Sequence, residues 1–191
     1  MQFQPTDRIK VHPGFWAGLH QLGIGADDVA RTAQLSPETI NKPVVTQSQY
    51  FAIWQAYSDL IGDTAEGIIK LATGYEISKY PPPVLAMYHA RNYHDALNRM
   101  VRYKQMCPPE SLQITEAGEE CIIELEWLHK ELPGPPLLVG ITLAFLLELG
   151  RRGTGQSLTA KRVEFSQAMG DVDRLEVYFG CPVDTNSDYN R

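Results

Sequence analysis

Cysteine is scarce in this sequence. Cys107, Cys121 and Cys181 are the only three. They are odd in number, widely spaced and without a CxxC pair, which argues against a disulfide framework and against a cysteine zinc site. Reduced thiols in a cytoplasm account for them. Basic charge is short as well. Lys and Arg total 17 against 23 Asp and Glu, a net charge of −6, and no basic run exceeds Arg151-Arg152. Nonspecific nucleic-acid binding needs a basic surface that displaces counterions from phosphates, so this chain alone is not expected to hold DNA. Long apolar runs are missing too. Leu137 to Leu149 is too short to span a bilayer and contains Glu148. Met1 to Lys10 is polar, without the apolar core of a signal peptide. No internal repeat or low-complexity segment is present.

What remains is ordinary for a globular protein. The 191 residues fit one domain and suffice for a core; 43% are hydrophobic and 21% charged. Residues 1–13 are polar, contain Pro5 and Pro13, and read as a flexible, extended arm. Phe15 to Leu22 and Asp27 to Ala33 read as short helices, the first stopped by Gly23 and Gly25. Ser36-Pro37-Glu38 opens another helical turn. The clearest helix is 46–61, where Tyr50, Ile53, Trp54, Tyr57, Leu60 and Ile61 form one apolar stripe. Ala65 to Ala72 follows the same plan. Tyr80 to Pro83 reads as a rigid, extended break, Val84 to Ala90 as either strand or helix, and Tyr93 to Met106 as helix.

The period then changes to two. Leu112 to Ala117 and Cys121 to Leu128 alternate around Gly118-Glu119-Glu120, the pattern of an antiparallel hairpin with one buried face. Leu137 to Arg151 reads as a buried helix, 160–167 as a strand and Asp171 to Phe179 as a final helix. The expected fold class is α+β: a mostly helical single domain with a small antiparallel sheet, the hairpin at about 112–128 plus a strand at about 160–166.

Most patterns that carry chemistry fall short. His89 and His94 lie five apart, which misaligns them for one metal on a helix, and no metal site is expected. Cys107 with His89 or His94 could pair a nucleophile with a base, but Cys107 sits at a helix C-terminus, where the dipole raises a thiol pKa. Gly150 to Gly155 has the composition of a phosphate cradle, yet it follows a helix instead of opening one. It reads as a helix cap, with Arg151 and Arg152 as the partners of any anionic effector. Glu124 and Glu126 fall on the wet face of the hairpin, so acid–base work is not expected of them. No catalytic residue and no cofactor is assigned.

The aromatic set is richer. Tyrosine and tryptophan join apolar faces to polar tips, and small-ligand pockets combine apolar walls with a few polar handles. On that basis Tyr50, Trp54, Tyr88, Tyr103, Trp127 and Arg162 are the expected ligand-binding residues.

Four patches in order resemble the arabinose-binding-type N-terminal domain of AraC-family transcription regulators. They are Leu19-His20-Gln21-Leu22-Gly23-Ile24; Trp54 through Gly62-Asp63 with Gly67 and Leu71; Tyr93-His94-Asp95-Ala96-Leu97 with Arg102-Tyr103; and Val163-Glu164-Phe165 followed by Tyr178-Phe179-Gly180-Cys181-Pro182-Val183. The third matches that family's "EAL…RY" helix, with Asp95 where Glu is common. The fourth matches its "V-x-F … FG-x-PV" ending. Together they cover about 15–185. The resemblance implies a cytoplasmic bacterial regulator whose N-terminal domain senses a small-molecule effector and forms a homodimer. DNA would be bound only through a C-terminal helix-turn-helix part lying beyond this chain. On this reading 14–185 is the effector-binding and dimerisation domain and 186–191 begins a linker to that missing domain. The alternative is a stand-alone small-molecule-binding protein of the same fold without DNA binding; an enzyme is not expected, because no nucleophile–base pair, metal set or cofactor loop is found. No membrane association is expected.

Overall fold

Local side-chain caps set several of the helix starts. The computed structural model describes residues 8–74, 80, 82–106, 109–127 and 133–191. Helix α1 (Pro13–Gln21) opens on His12, whose Nδ1 accepts from the Gly14 amide at 3.1 Å. Helix α2 (Ala26–Thr32) places Asp27 and Asp28 in its first turn, where carboxylates complement the free amides. Ser36 caps α3 (Pro37–Ile40). Thr46 and Gln49 form a reciprocal capping box on α4 (Gln47–Ile61): the Gln49 amide donates to Thr46 Oγ1 at 3.3 Å, and the Thr46 amide to Gln49 Oε1 at 3.0 Å. Gly62, at a φ of 74°, ends that helix in a conformation few side chains tolerate. Then come α5 (Thr64–Gly74), α6 (Pro82–Tyr88), α7 (Tyr93–Lys104), β1 (Glu110–Ala117), β2 (Glu120–Trp127), α8 (Pro136–Thr154), β3 (Val163–Glu164), α9 (Val172–Phe179) and β4 (Val183–Asp184).

The run that was too short for a membrane is the spine of the core. Helix α8 is buried almost continuously from Leu137 to Gly150. Helix α5 lies close against it because Gly140 has no side chain; a Cβ there would stand 2.2 Å from Ile68 Cδ1. Helix α4 is tied to α5 by Tyr57, which is fully buried and donates its hydroxyl to the Gly67 carbonyl at 2.9 Å. Strands β1 and β2 pair antiparallel from Glu110↔Trp127 to Ala117↔Glu120, and β1 packs on α7. Burial grows toward the Glu110–Trp127 end, so Leu125 and Trp127 enter the core while Cys121 stays exposed. The α+β class, mostly helical with an antiparallel hairpin, is as the sequence indicates.

Several details differ from the sequence reading. The segment 84–90 is helical, in α6. Pro82 and Pro83 start that helix instead of extending a break; proline is tolerated in a first turn, where its missing N–H has no intrahelical acceptor. Helix α7 stops at Lys104, two residues short of Met106. The strand at 160–166 shrinks to β3 and does not join the hairpin. It pairs in parallel with β4, Val163↔Val183 and Glu164↔Asp184. The reason is connectivity: α9 carries the chain back to run in the same direction, which a tight turn cannot do.

Both expected tails depart from flexible segments where they are described. Residues 1–7 of the arm lie outside the described residues. Ile9 pairs with Val45 through two 2.8 Å backbone bonds, and Ile9 and Val11 are buried. Their apolar side chains gain more from the core than a solvated arm would allow. At 186–191, read as the start of a linker, Asn190 is buried; its carbonyl accepts from the Leu125 amide at 2.8 Å and its side chain from the Ser166 amide at 2.9 Å. Arg191 then grips the buried Glu164 with two bonds of 3.0 and 2.9 Å.

Candidate ligand cavity

Helical spacing builds one cavity of about 330 Å³. Tyr50 and Trp54, four apart on α4, share one face of that helix, and Leu138, Ile141, Thr142 and Phe145 repeat the same geometry along α8. Leu71 and Ala72 of α5 line it too, as do Tyr80, Val84 of α6, and Met100, Tyr103 and Lys104 of α7. Glu110 and Leu112 reach in from the start of β1, and Arg8 to His12 run along another side, followed by Phe15. The aromatic wall is interlocked: Phe15 lies 4.6 Å from Trp54 between ring centroids, and Tyr50 meets Trp54 edge-on at 6.1 Å.

A few polar groups interrupt this apolar lining. Glu110 is only 3% exposed, and its Oε1 is paired with the Lys104 ammonium. Among the described residues its Oε2 has no hydrogen-bond partner, and neither has the indole N–H of Trp54, which is also buried. Such unpartnered groups are uncommon in folded proteins because each costs its desolvation penalty. Thr142 is satisfied by its own helix, donating to the Leu138 carbonyl at 3.0 Å. Burial, and secondarily the nearby Lys10, holds the His12 imidazole below its ordinary pKa.

Of the six residues expected from sequence, the fold brings Tyr50, Trp54 and Tyr103 together on this cavity. The other three are not among its lining residues. Tyr88 stacks behind Tyr80, with ring centroids 6.3 Å apart. Trp127 packs edge-on against Phe51 at 5.3 Å, above Gly134, where any Cβ would strike the indole at 2.1 Å. Arg162 is on the surface, paired with Asp184 at 2.6 Å and Glu164 at 3.0 Å. The sequence reading missed Glu110, Lys104, Thr142, Phe145 and the stretch from Ile9 to His12. One signal was available: Glu110 shares the inward phase of Leu112 and Ile114, which places a carboxylate on the buried face.

The other sequence features resolve into structure. Gly155 caps α8 in the left-handed conformation, its amide donating to the Arg151 carbonyl at 2.9 Å. Arg151 binds Glu148 at 2.9 Å and the Leu158 and Tyr178 carbonyls, while Arg152 binds the Thr73 carbonyl at 2.6 Å. Both guanidiniums are thus engaged within the fold. His94 pairs with Glu116 at 2.7 Å on the surface. Burial raises the thiol pKa of Cys121 and Cys181, with Glu116 and Glu176 adding to it; Cys107, His129 and Glu131 lie outside the described residues. Among the described residues no group of three or more His, Cys, Asp or Glu could hold a metal ion, and no helix is long and apolar enough to cross a membrane.

Comparison with known proteins agrees with this fold. A solved structure described as transcriptional regulator CdpR from Pseudomonas aeruginosa matches with a TM-score of 0.57 at 16% identity, over 92% of this chain. The chain spans about half, 53%, of that structure's length. No curated protein sequence matches. Residues 23–191 match the family described as the arabinose-binding domain of AraC transcription regulator, N-term. A match over that much of the sequence identifies the chain as a member of this family of regulator N-terminal domains.

Proposed function

We propose that this chain is the effector-sensing and dimerisation half of a cytoplasmic AraC-type regulator in bacteria. A small molecule binds in the cavity, and its binding governs a helix-turn-helix domain outside this chain. The observation that carries the reading is the cavity itself. Apolar walls from six helices enclose a few convergent polar groups, the usual make-up of a small-ligand site. Tyr50, Trp54 and Tyr103 supply contact area and polar tips. The family and the regulator-like fold support the regulatory half of the reading.

The mechanism is a population shift between two arrangements of the domain. Glu110, on the cavity, sits opposite Trp127 in the hairpin register, and two residues before Trp127 the Leu125 amide binds the Asn190 carbonyl. Displacement of β1 by a bound effector would therefore reach the last residues through one strand. The test is a screen of bacterial metabolites for ligand-induced stabilisation, followed by titration of Tyr→Phe variants. Tyr50→Phe or Tyr103→Phe should weaken binding about 2- to 10-fold, the worth of one neutral hydrogen bond, while Tyr88→Phe, off the cavity, should not. Unchanged binding in both Tyr50→Phe and Tyr103→Phe would remove the cavity as the effector site.

A further inference from the structure

The charges that line the cavity are unbalanced, and the imbalance defines a ligand class. We infer that the cavity takes an apolar monocarboxylate, with its body against the aromatic walls and its carboxylate at the opening beside Arg8 and Lys10. This rests on the effector-cavity reading above. Three cations, Arg8, Lys10 and Lys104, and one anion, Glu110, are among the lining residues. Glu110 is 3% exposed and paired with Lys104, so those two charges cancel and Glu110 offers nothing to a ligand. Arg8 and Lys10 remain. Both are exposed, which places them on the open side of the cavity, and neither has an ion pair among the described residues. They stand out in a chain whose net charge is −6.

Backbone geometry sets the spacing of this pair. Ile9 is fixed to Val45 by two backbone bonds of 2.8 Å, and Ile9 and Val11 are buried. Alternate residues of an extended chain share a face, so Arg8 and Lys10 stand side by side, about 7 Å apart. A carboxylate between them can accept from the guanidinium and from the ammonium. The charge of Lys10 is already felt on the lining, where it adds to burial in holding His12 below its ordinary pKa. At the opening the carboxylate keeps part of its hydration and so avoids the cost of a buried charge. The apolar body is left to meet walls such as Trp54, Ile141 and Phe145. Sugars fit poorly there, because most of their hydroxyls would find no partner. A cation fits poorly too, because Glu110 is taken by Lys104 and the opening carries Arg8 and Lys10.

The experiment titrates 2-naphthoate, 2-naphthamide and 2-naphthylmethylammonium into the 191-residue chain by calorimetry at neutral pH and low salt. The three share one ring system and differ in charge at one end. 2-Naphthoate should bind about 3- to 30-fold more tightly than the amide, the worth of two exposed ion pairs, and the ammonium more weakly than either. Added salt should narrow the gap, because charges at an opening are screened. Replacing both cations, Arg8→Gln with Lys10→Gln, should bring the affinity for naphthoate down to that for the amide. Equal affinity of naphthoate and naphthamide for the parent chain, or a preference that survives the double replacement, would overturn the inference and leave the effector cavity standing. Absence of binding by all three at millimolar concentration would overturn the inference together with the cavity reading. The comparison in the parent chain decides the matter even if the double variant does not fold.

Discussion

Replacing Ala72 by leucine should stabilise the protein while closing the cavity to ligand. Ala72 lies on α5, is nearly fully buried and lines the cavity, so a longer side chain extends into unfilled space. Its backbone carbonyl, which accepts from Arg152 at 3.4 Å, is untouched by the change. Leucine adds three carbons, worth about 2.4 kcal/mol at about 0.8 kcal/mol per buried CH₂. Fixing its rotamer costs about 0.5–1 kcal/mol, and the loss of alanine's helix propensity is smaller still. The expected net gain is about 1–2 kcal/mol, or a rise of about 2–8 °C in melting temperature for a domain of this size. Urea denaturation of both proteins gives the free energy, and thermal melts with and without a stabilising ligand from the metabolite screen give the ligand effect. The leucine variant should be more stable, with ligand no longer raising its melting point. A loss of more than about 1 kcal/mol would mean that the space beside Ala72 is filled, because overpacking costs about that or more. A more stable variant that still bound normally would place the ligand elsewhere.

Two other outcomes follow from the surface and the tail. Hydrogen bonds from Arg191 first, then from Ser187, with the charge of Arg162 nearby, hold the Glu164 carboxyl below its ordinary pKa. A carboxylate whose folded pKa is depressed contributes stability in full above its unfolded value and loses it as pH falls through the folded one. Melting temperature should therefore fall on acidification below about pH 4.5, and Glu164→Gln should flatten that acid limb; parallel limbs in the two proteins would refute the role of Glu164. On α9, Val177 is 85% exposed, an apolar side chain with no cover of its own. The chain should be a dimer at micromolar concentration by light scattering, and Val177→Asp should shift it to monomer without lowering its melting point. A monomeric parent would end the dimer reading, and an unshifted variant would move the interface off α9.

Many local rules were legible in the sequence. The cap at Thr46, the stop at Gly62, the apolar period of α4 and the alternation of the hairpin are short-range chemistry, and each element formed where those signals lie. The buried character of α8 follows from composition alone. Tertiary structure decided what long-range contact controls. Val163 has no local sign of a partner, because its partner comes after α9 and is fixed by the path of the chain. Ile9 and Val11 look like part of a polar arm until Val45 offers an edge to pair with. Asn190 and Arg191 look like a linker until Leu125 and Glu164 hold them. The cavity shows the same division. Sequence singled out the aromatic residues that can line a pocket, and three of them, Tyr50, Trp54 and Tyr103, face one space. Tyr88, Trp127 and Arg162 have the same amphipathic chemistry but point elsewhere, since residue type sets what a side chain can bind and only packing sets where it is aimed.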